Sequence, residues 1–540
     1  MKGLMMGVLA ISAAMSARCG TVEVKIPPKG ADATPAIRAA VARLKDGDTL
    51  RFAKGDYHLY PDAAESVEQG ISNNKYGVRR KVVLNLMNRR DITVDGGGAT
   101  FVCHGDVMPF MVRQCKGVCF RNFTVTADLP AAIGFQVTQK DEKGFELAFD
   151  ENAASVKVAP EGLVFCTTWG ETTNPIAAII SLETHRIVYL AHPSSSRAAR
   201  AGLAVGHILA QPRQVDARHI RFDYAPSDDP RTLQCVFNVG EKLCFNLTDR
   251  SRVMMLSEDC ANLTVEDIAV RRFVGMGVVA QRSRDLTVRR YRVVPNEGEL
   301  VTTGADAMMF TNCGGEVLVE DCEVSHSLDD VFNNHGNYAE VVSSEGNRLA
   351  LRIGHPEQRG FLPYRVGDEV EFIAPASRAA LARAKVVAAT LTAADAIALD
   401  VEPAVNIPVK TLVENVTLVP NVTLRRNYFH DYPNLRVSQR GRILIEGNVM
   451  RRGCSALYVN DLANYWYESG RVVDLIFRNN VIDDCNYYGC AIQVGVDGWK
   501  HDDPAVPKVH GRIRFEGNTF RNQTSERMRI SGVRDFKEEK

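Results

Sequence analysis

The stretches CANLTVEDIAVRRF (residues 260–273) and SRDLTVRRYRVV (283–294) decide the fold, because each is a short alternating strand, a polar corner and a second short strand. The phrase returns as NRRDITVDGGGATF (88–101), CKGVCFRNFTVTA (115–127), GGEVLVEDCEVSH (314–326), VPNVTLRRNYFHD (419–431), RGRILIEGNVMRR (440–452), VVDLIFRNNVIDD (472–484) and HGRIRFEGNTFRN (510–522). Val265 and Val288 are 23 residues apart and Leu424 and Ile445 are 21 apart, which is the length that one coil of a parallel β-helix consumes. Period-two alternation rich in Val, Ile and Phe excludes a helical array, and the absence of regular units of about 40–50 residues excludes a propeller. The expected fold is all-β: a right-handed parallel β-helix with an N-terminal capping helix and two inserted small β-barrel or sandwich domains.

Outward from the repeat, the asparagines Asn427, Asn448, Asn480 and Asn518 close successive coils, where short amides can bond local backbone and stack on one another. The several NxT triplets fall in these strands and read as structure, not as glycan acceptors. Near the start, ATPAIRAAVARLKDGD (33–48) predicts a helix with Thr34 as N-cap, Pro35 at N1 and Gly47 beyond its end. Its stripe of Ile37, Ala40, Val41 and Leu44 would cover the open edge of the first coil, which DTLRFAKGDYHL (48–59) enters. The phrase vanishes over 129–249 and again over 339–418, where ordinary strands such as RVGDEVEFIAP (365–375) and AIALDVEP (396–403) take over. The expected division is therefore a signal peptide at 1–17, cap and first coils at 18–128, an inserted β-domain at 129–249, central coils at 250–338, a second inserted β-domain at 339–418, and C-terminal coils at 419–540. The insertions are expected to wall a cleft on the flank of the helix.

Lys plus Arg equals Asp plus Glu at 65 each, so no net field draws the chain to nucleic acid, an anionic membrane or a polyanion, and a neutral ligand is favoured. The opening MKGLMMGVLAISAAMSA has the layout of a secretory signal and is too short to span a bilayer, so the expected location is secreted or periplasmic, with no membrane span. The thirteen cysteines form no paired CxxC knuckles; Cys119, Cys260, Cys313, Cys322 and Cys485 read as small core residues, with at most one or two disulfides expected.

Chemistry concentrates in TTGADAMMFTNCGGEVLVEDCEVSHSLDDVFNNHGNY (302–338). Asp306 and Asp329 are 23 residues apart and so stand on equivalent places of successive coils, about 5 Å apart along the axis, with Asp330 beside them. Carboxylates this close repel one another, which keeps one protonated, and glycoside hydrolysis needs an acid and a carboxylate together. His326, Asn333, Asn334, His335 and Asn337 offer polar groups for sugar hydroxyls. In YVNDLANYWYESG (458–470), Trp466 and Glu468 could stack on and hydrogen-bond a sugar ring. The alternative enzyme is a polygalacturonase-like hydrolase or a lyase acting on acidic polysaccharide, since stacked aspartates can also hold calcium in a lyase with Arg436 or Arg440 as base, and a non-catalytic glycan-binding β-helix is a third reading.

At GADAMMF, SHSLDDVFNNHGNY and NYWYESG the chain resembles glycoside hydrolase family 110, bacterial exo-α-galactosidases that release terminal α-1,3-linked galactose, as on the blood-group B antigen. The resemblance extends to the helix cap and both interruptions. It implies a metal-independent, cofactor-free, inverting hydrolase with Asp329 as general acid and Asp306 and Asp330 holding and deprotonating water. The partner it implies is a carbohydrate with terminal α-galactosyl groups, and a homo-oligomer is compatible with it. One-coil spacing is nearer the carboxylate separation of retaining enzymes than the roughly 6.5–9.5 Å of inverting ones. The stretch NLRVSQRGRILIEGN (434–448) departs from the family's pattern.

Overall fold

The computed structural model describes residues 19–130, 132–149, 250–486 and 489–539, and between these the segments 155–159, 162–167, 170–174, 176–181, 187–191, 206–208, 213–223 and 238–246. The candidate signal at 1–17 lies outside them. The repeated phrases stack as parallel strands, each coil in register with the next: Val265 pairs with Val288, and Leu424 with Ile445. Parallel connections of this kind are right-handed on steric grounds, and the chain is a right-handed parallel β-helix. Its core is one apolar column from Val24 to Val533. Phe52, Phe101 and Phe110 build its N-terminal end edge to face, with centroids 5.0 and 5.4 Å apart. Among the described residues no helix is long and apolar enough to cross a membrane.

The corner of each phrase explains the asparagines. A residue in the left-handed conformation turns the chain at Asp267, Arg290, Asp321, Arg426 and Asn479, and the next residue points into the coil. In the C-terminal coils that next residue is the asparagine. Asn448 Oδ1 accepts from the backbone N–H and side-chain amide of Asn427 (2.9 and 3.0 Å), while its own amide donates to Leu424 O at 2.9 Å. Asn480 repeats this beneath Asn448, and Asn518 beneath Asn480. The ladder ends upward at Cys322, whose N–H donates to Asn427. Among the described residues every cysteine is a free thiol; Cys260, Cys313, Cys322 and Cys485 are buried, and Cys119 is half-buried.

The capping helix spans Thr34–Arg43, and Ile37, Ala40 and Leu44 join the core. Thr34 is inside the helix and does not cap it. Its hydroxyl donates to Tyr60 O instead, so Thr34 ties the helix to the first coil. A strand unforeseen in the sequence, Thr21–Val24, pairs in parallel with Thr49–Phe52 and is the first rung.

Sheets built largely of antiparallel pairs leave the helix at two places in the chain. Ala132–Asp141 pairs with Gly144–Phe149 and with Lys242–Asn246 in the first. The second grows out of the strand Phe332–Glu345, which runs parallel to its coil neighbours at one end and antiparallel to Arg348–Ile353 and Leu412–Asn415 at the other. It has its own apolar core around Leu351, Tyr364, Phe372 and Leu399. Four charges anchor it to the coils: Arg440 and Arg471 both reach Glu371 and Glu414, whose side chains are buried. Arg440 is therefore spent on this joint and cannot serve as a base at the aspartates.

Candidate active site

Three aspartates do converge. Oxygens of Asp306, Asp329 and Asp330, one from each, lie within 4.8 Å of one another. The coil here is one residue longer than a 23-residue repeat: Met309 pairs with Asn333 and Thr303 with Ser327. Asp306 is accordingly in register with Asp330, not with Asp329, and Ala307 N–H donates to Asp330 O at 2.9 Å. The Asp330 N–H lies 3.1 Å from a carboxylate oxygen of Asp306 and 3.1 Å from one of Asp329, so the Asp-Asp turn gathers the cluster.

Environment separates the three. The Asp306 side chain is 1% exposed, whereas that of Asp329 is 21% exposed and is the one a substrate can reach. Burial pushes Asp306 up to about 6 with Glu468 adding to it, although Arg250 pulls the other way. Burial pushes Asp330 further, to about 8, helped by the charge of Asp306 stacked against it. The stacked pair titrates as a unit and holds a proton near neutral pH.

Two arginines meet this charge. Arg250, at the junction where the first insertion rejoins the coils, is ion-paired with Asp329, lies 4.0 Å from Asp306 and stands over Trp466 at 5.8 Å. Arg436, in register with Asn333, pairs with Glu468 at 2.6 Å and lies over Tyr458. Burial works against its charge, but Glu468 and the aspartates outweigh that and hold Arg436 above its ordinary value. Arg436 is thus not poised as an elimination base. The aspartate cluster is compact enough to hold a cation, but Arg250 already brings positive charge to it, so the chain itself supplies neutralisation.

Of the polar run, Asn333 and His335 share the face of Met309 and Thr311 that looks out of the coil. His335 is fully buried, its Nε2 lies 3.7 Å from Glu468, and burial pushes it down toward the neutral form. Asn334 turns to the interior with Phe310 and donates to the carbonyl of that residue. Asn337 accepts from Thr311 at 2.7 Å and donates to Ser72, a brace more than a ligand. His326 sits elsewhere, with His430 and Asp431. That second cluster is no ready metal site, because Arg452 and His430 already bind the Asp431 carboxylate. Glu468 lies on a short strand antiparallel to Gly336–Asn337, and burial, which would raise its carboxyl, is outweighed by Arg436 and His335. Trp466, half-buried, lies against His355, which caps the 3-10 turn Pro356–Gln358, with ring centroids 4.2 Å apart and planes tilted by 30°.

Sequence reasoning missed three contributors: Arg250, Arg436 in its actual place, and Asn73. Asn73 Nδ2 donates to Glu468 at 2.6 Å and lies 3.3 Å from His335 Nε2. The signal was present in ISNNKYG (71–77), a polar stretch flanked by coils, but nothing local says that it folds over residues far along the chain.

Among the described residues, the buried polar atoms without a hydrogen-bond partner include Asp306 Oδ2, Asn333 Oδ1 and Arg436 Nε at this site, along with others elsewhere in the chain. Buried polar groups are normally paired, and those left over beside the carboxylates can still accept from or donate to a polar ligand.

No protein-family model matches the chain. Among curated proteins it is 29% identical to α-1,3-galactosidase A of Streptomyces avermitilis, over 94% of this chain and 85% of that one. It is 25% identical to α-1,3-galactosidase B of Bacteroides thetaiotaomicron, over 92% and 80%. The solved structure of Yersinia enterocolitica family 28 exopolygalacturonase aligns with 97% of this chain and 79% of its own at 11% identity and a TM-score of 0.35, too distant to bear on the site. Over nearly its whole length, then, the chain is similar to curated α-1,3-galactosidases, consistent with the resemblance to glycoside hydrolase family 110 carried by its GADAMMF and SLDDVFNNHGNY stretches.

Proposed function

We propose that this protein is an exo-acting glycoside hydrolase that releases terminal α-1,3-linked galactose from neutral glycans. The observation that carries the reading is the cluster of three carboxylates, two buried and one exposed, with Asn333 Oδ1 and Arg436 Nε left without hydrogen-bond partners beside it. Such a site offers hydrogen bonds of both senses to sugar hydroxyls at the point where acid and base are available. The names of the relatives supply the sugar and the linkage.

In the proposed reaction the glycosidic oxygen meets Asp329, the exposed member of the cluster, which protonates it as the bond to the anomeric carbon breaks. Water held by Asp306 and Asp330 attacks that carbon and yields its proton to them. Arg250 has to release Asp329, which takes up a proton from solvent before it can donate one to the leaving oxygen, and Trp466 beside it gives the incoming sugar a surface to rest on.

A second reading rests on the 4.8 Å grouping, which is nearer the short separation of retaining enzymes than the inverting range. There a carboxylate attacks the sugar directly. Proton NMR of the first-formed anomer decides: β-galactose from a linear and a branched α-1,3-galactoside is the expected product, and α-galactose establishes double displacement. Absence of galactose release by the folded protein ends both.

A further inference from the structure

The segment Gly70–Tyr76 lies far from the aspartates in sequence yet is held against the site from four directions. From the coils, Gln281 accepts from Ser72 N–H at 3.2 Å and donates to Gly70 O at 2.9 Å. From the strand carrying the polar run, Asn337 donates to Ser72 Oγ at 3.2 Å. From the junction of the first insertion, the Arg250 carbonyl accepts from the Asn74 side chain. From the 3-10 turn Pro356–Gln358, between strands of the second antiparallel sheet, Glu357 O accepts from Asn74 N–H at 2.9 Å. Gly70 and Gly360 approach so closely that a Cβ on Gly70 would run into the Gly360 carbonyl, and the Tyr76 ring packs on Gly360. Ser72, Asn73 and Asn74 are all buried, and Asn73 ends on Glu468 and His335 within the site.

A β-helix flank by itself is an open groove along which a polymer can run past the catalytic residues. Here two parts of the chain that are remote in sequence meet across it. We infer that the contact of Gly70–Tyr76 with Pro356–Phe361 is a wall closing one end of the site, so that only a chain terminus can enter. This deepens the proposed function and rests on it: the wall is the specificity-determining element that makes the enzyme exo-acting. Glycine is required at 70 because the closure is backbone against backbone, and any side chain there wedges the two segments apart.

The test uses the full-length enzyme with Gly70→Val, which forces the segments apart, and Tyr76→Ala, which removes the ring on Gly360. Neither residue belongs to the catalytic cluster. The substrate is a linear α-1,3-galactotriose labelled at its reducing end, followed at early times. Wild-type enzyme is expected to give labelled disaccharide and free galactose. Either folded variant is expected to add labelled galactose and unlabelled disaccharide, at least about tenfold above wild type, because the barrier is steric and its removal opens a new binding register. Turnover of a simple aryl α-galactoside by Tyr76→Ala should stay within about threefold of wild type, since that ring makes no contact with the aspartates. If both variants melt like wild type and keep its product pattern, or if wild type itself cuts internally, the wall is not the determinant. A Gly70→Val protein that fails to fold leaves the decision to Tyr76→Ala, whose residue is half exposed at 46% and tolerates truncation. If wild type releases galactose from no α-galactoside, it is the proposed function that fails and not the wall.

Discussion

At the scale of single residues, the cluster trades stability for chemistry. A carboxyl whose folded-state value is raised binds its proton in the folded state when the unfolded chain has already lost it. Stability then falls as pH rises from the unfolded value near 4 through the folded values of about 6 for Asp306 and about 8 for Asp330. Asp330→Asn removes that cost. The variant should melt higher than wild type at pH 8, show no such gain near pH 4, and have lost activity at both; thermal melts at the two pH values together with galactose-release assays check this. Asp329→Asn touches the accessible member instead. It should lower kcat by about 10²–10⁴, the usual worth of a positioned acid, with little change in melting temperature. An unchanged kcat would remove Asp329 from the reaction. All three aspartates are legible in the sequence because they share one short stretch. Which two are stacked is not, since a single extra residue in the coil moves the register from Asp329 to Asp330.

At the scale of elements, the asparagine ladder is a column of local bonds that the sequence announces and the structure completes. Asn448 accepts two hydrogen bonds from Asn427 and donates one to Leu424, all within the buried corner. Asn448→Ala leaves an N–H, a carbonyl and an amide unpaired inside the protein, and should cost about 2–4 kcal/mol, read from denaturant unfolding. Asn448→Asp should do no better, because a carboxylate cannot donate to Leu424 O and would be buried without a countercharge. The ladder is readable because its spacing is that of the coil. The end of the capping helix is less so: Thr34 has the residue type of a cap, but its hydroxyl finds Tyr60 O across the first coil, a bond that helix-start rules do not contain.

At the scale of the whole molecule, the site exists where distant segments meet. The second antiparallel sheet, through the 3-10 turn Pro356–Gln358 between its strands, brings His355 to Trp466 and Glu357 to Asn74, and it is held down by Arg440 and Arg471 on Glu371 and Glu414. Arg440→Met removes one partner of a buried ionic joint and should cost about 3–5 kcal/mol. Because the joint lies under the sheet and not at the aspartates, the expected kinetic signature is a raised KM with kcat largely kept; a fall in kcat alone would place Arg440 in the chemistry. The repeated phrase, the coil length and the acidic stretch are short-range patterns, each legible within a few tens of residues, and the amino-acid sequence by itself therefore determined the β-helix and the catalytic candidates. Arg250, Asn73 and Arg436 became part of the site only in three dimensions. The physical reason is that β-helix stacking carries residues of successive coils together by register, whereas insertions and the 70–76 segment fold back across coils through contacts hundreds of residues apart, such as Asn73 with Glu468. No local periodicity encodes such a contact; it is decided by which buried polar groups can find one another when the chain closes.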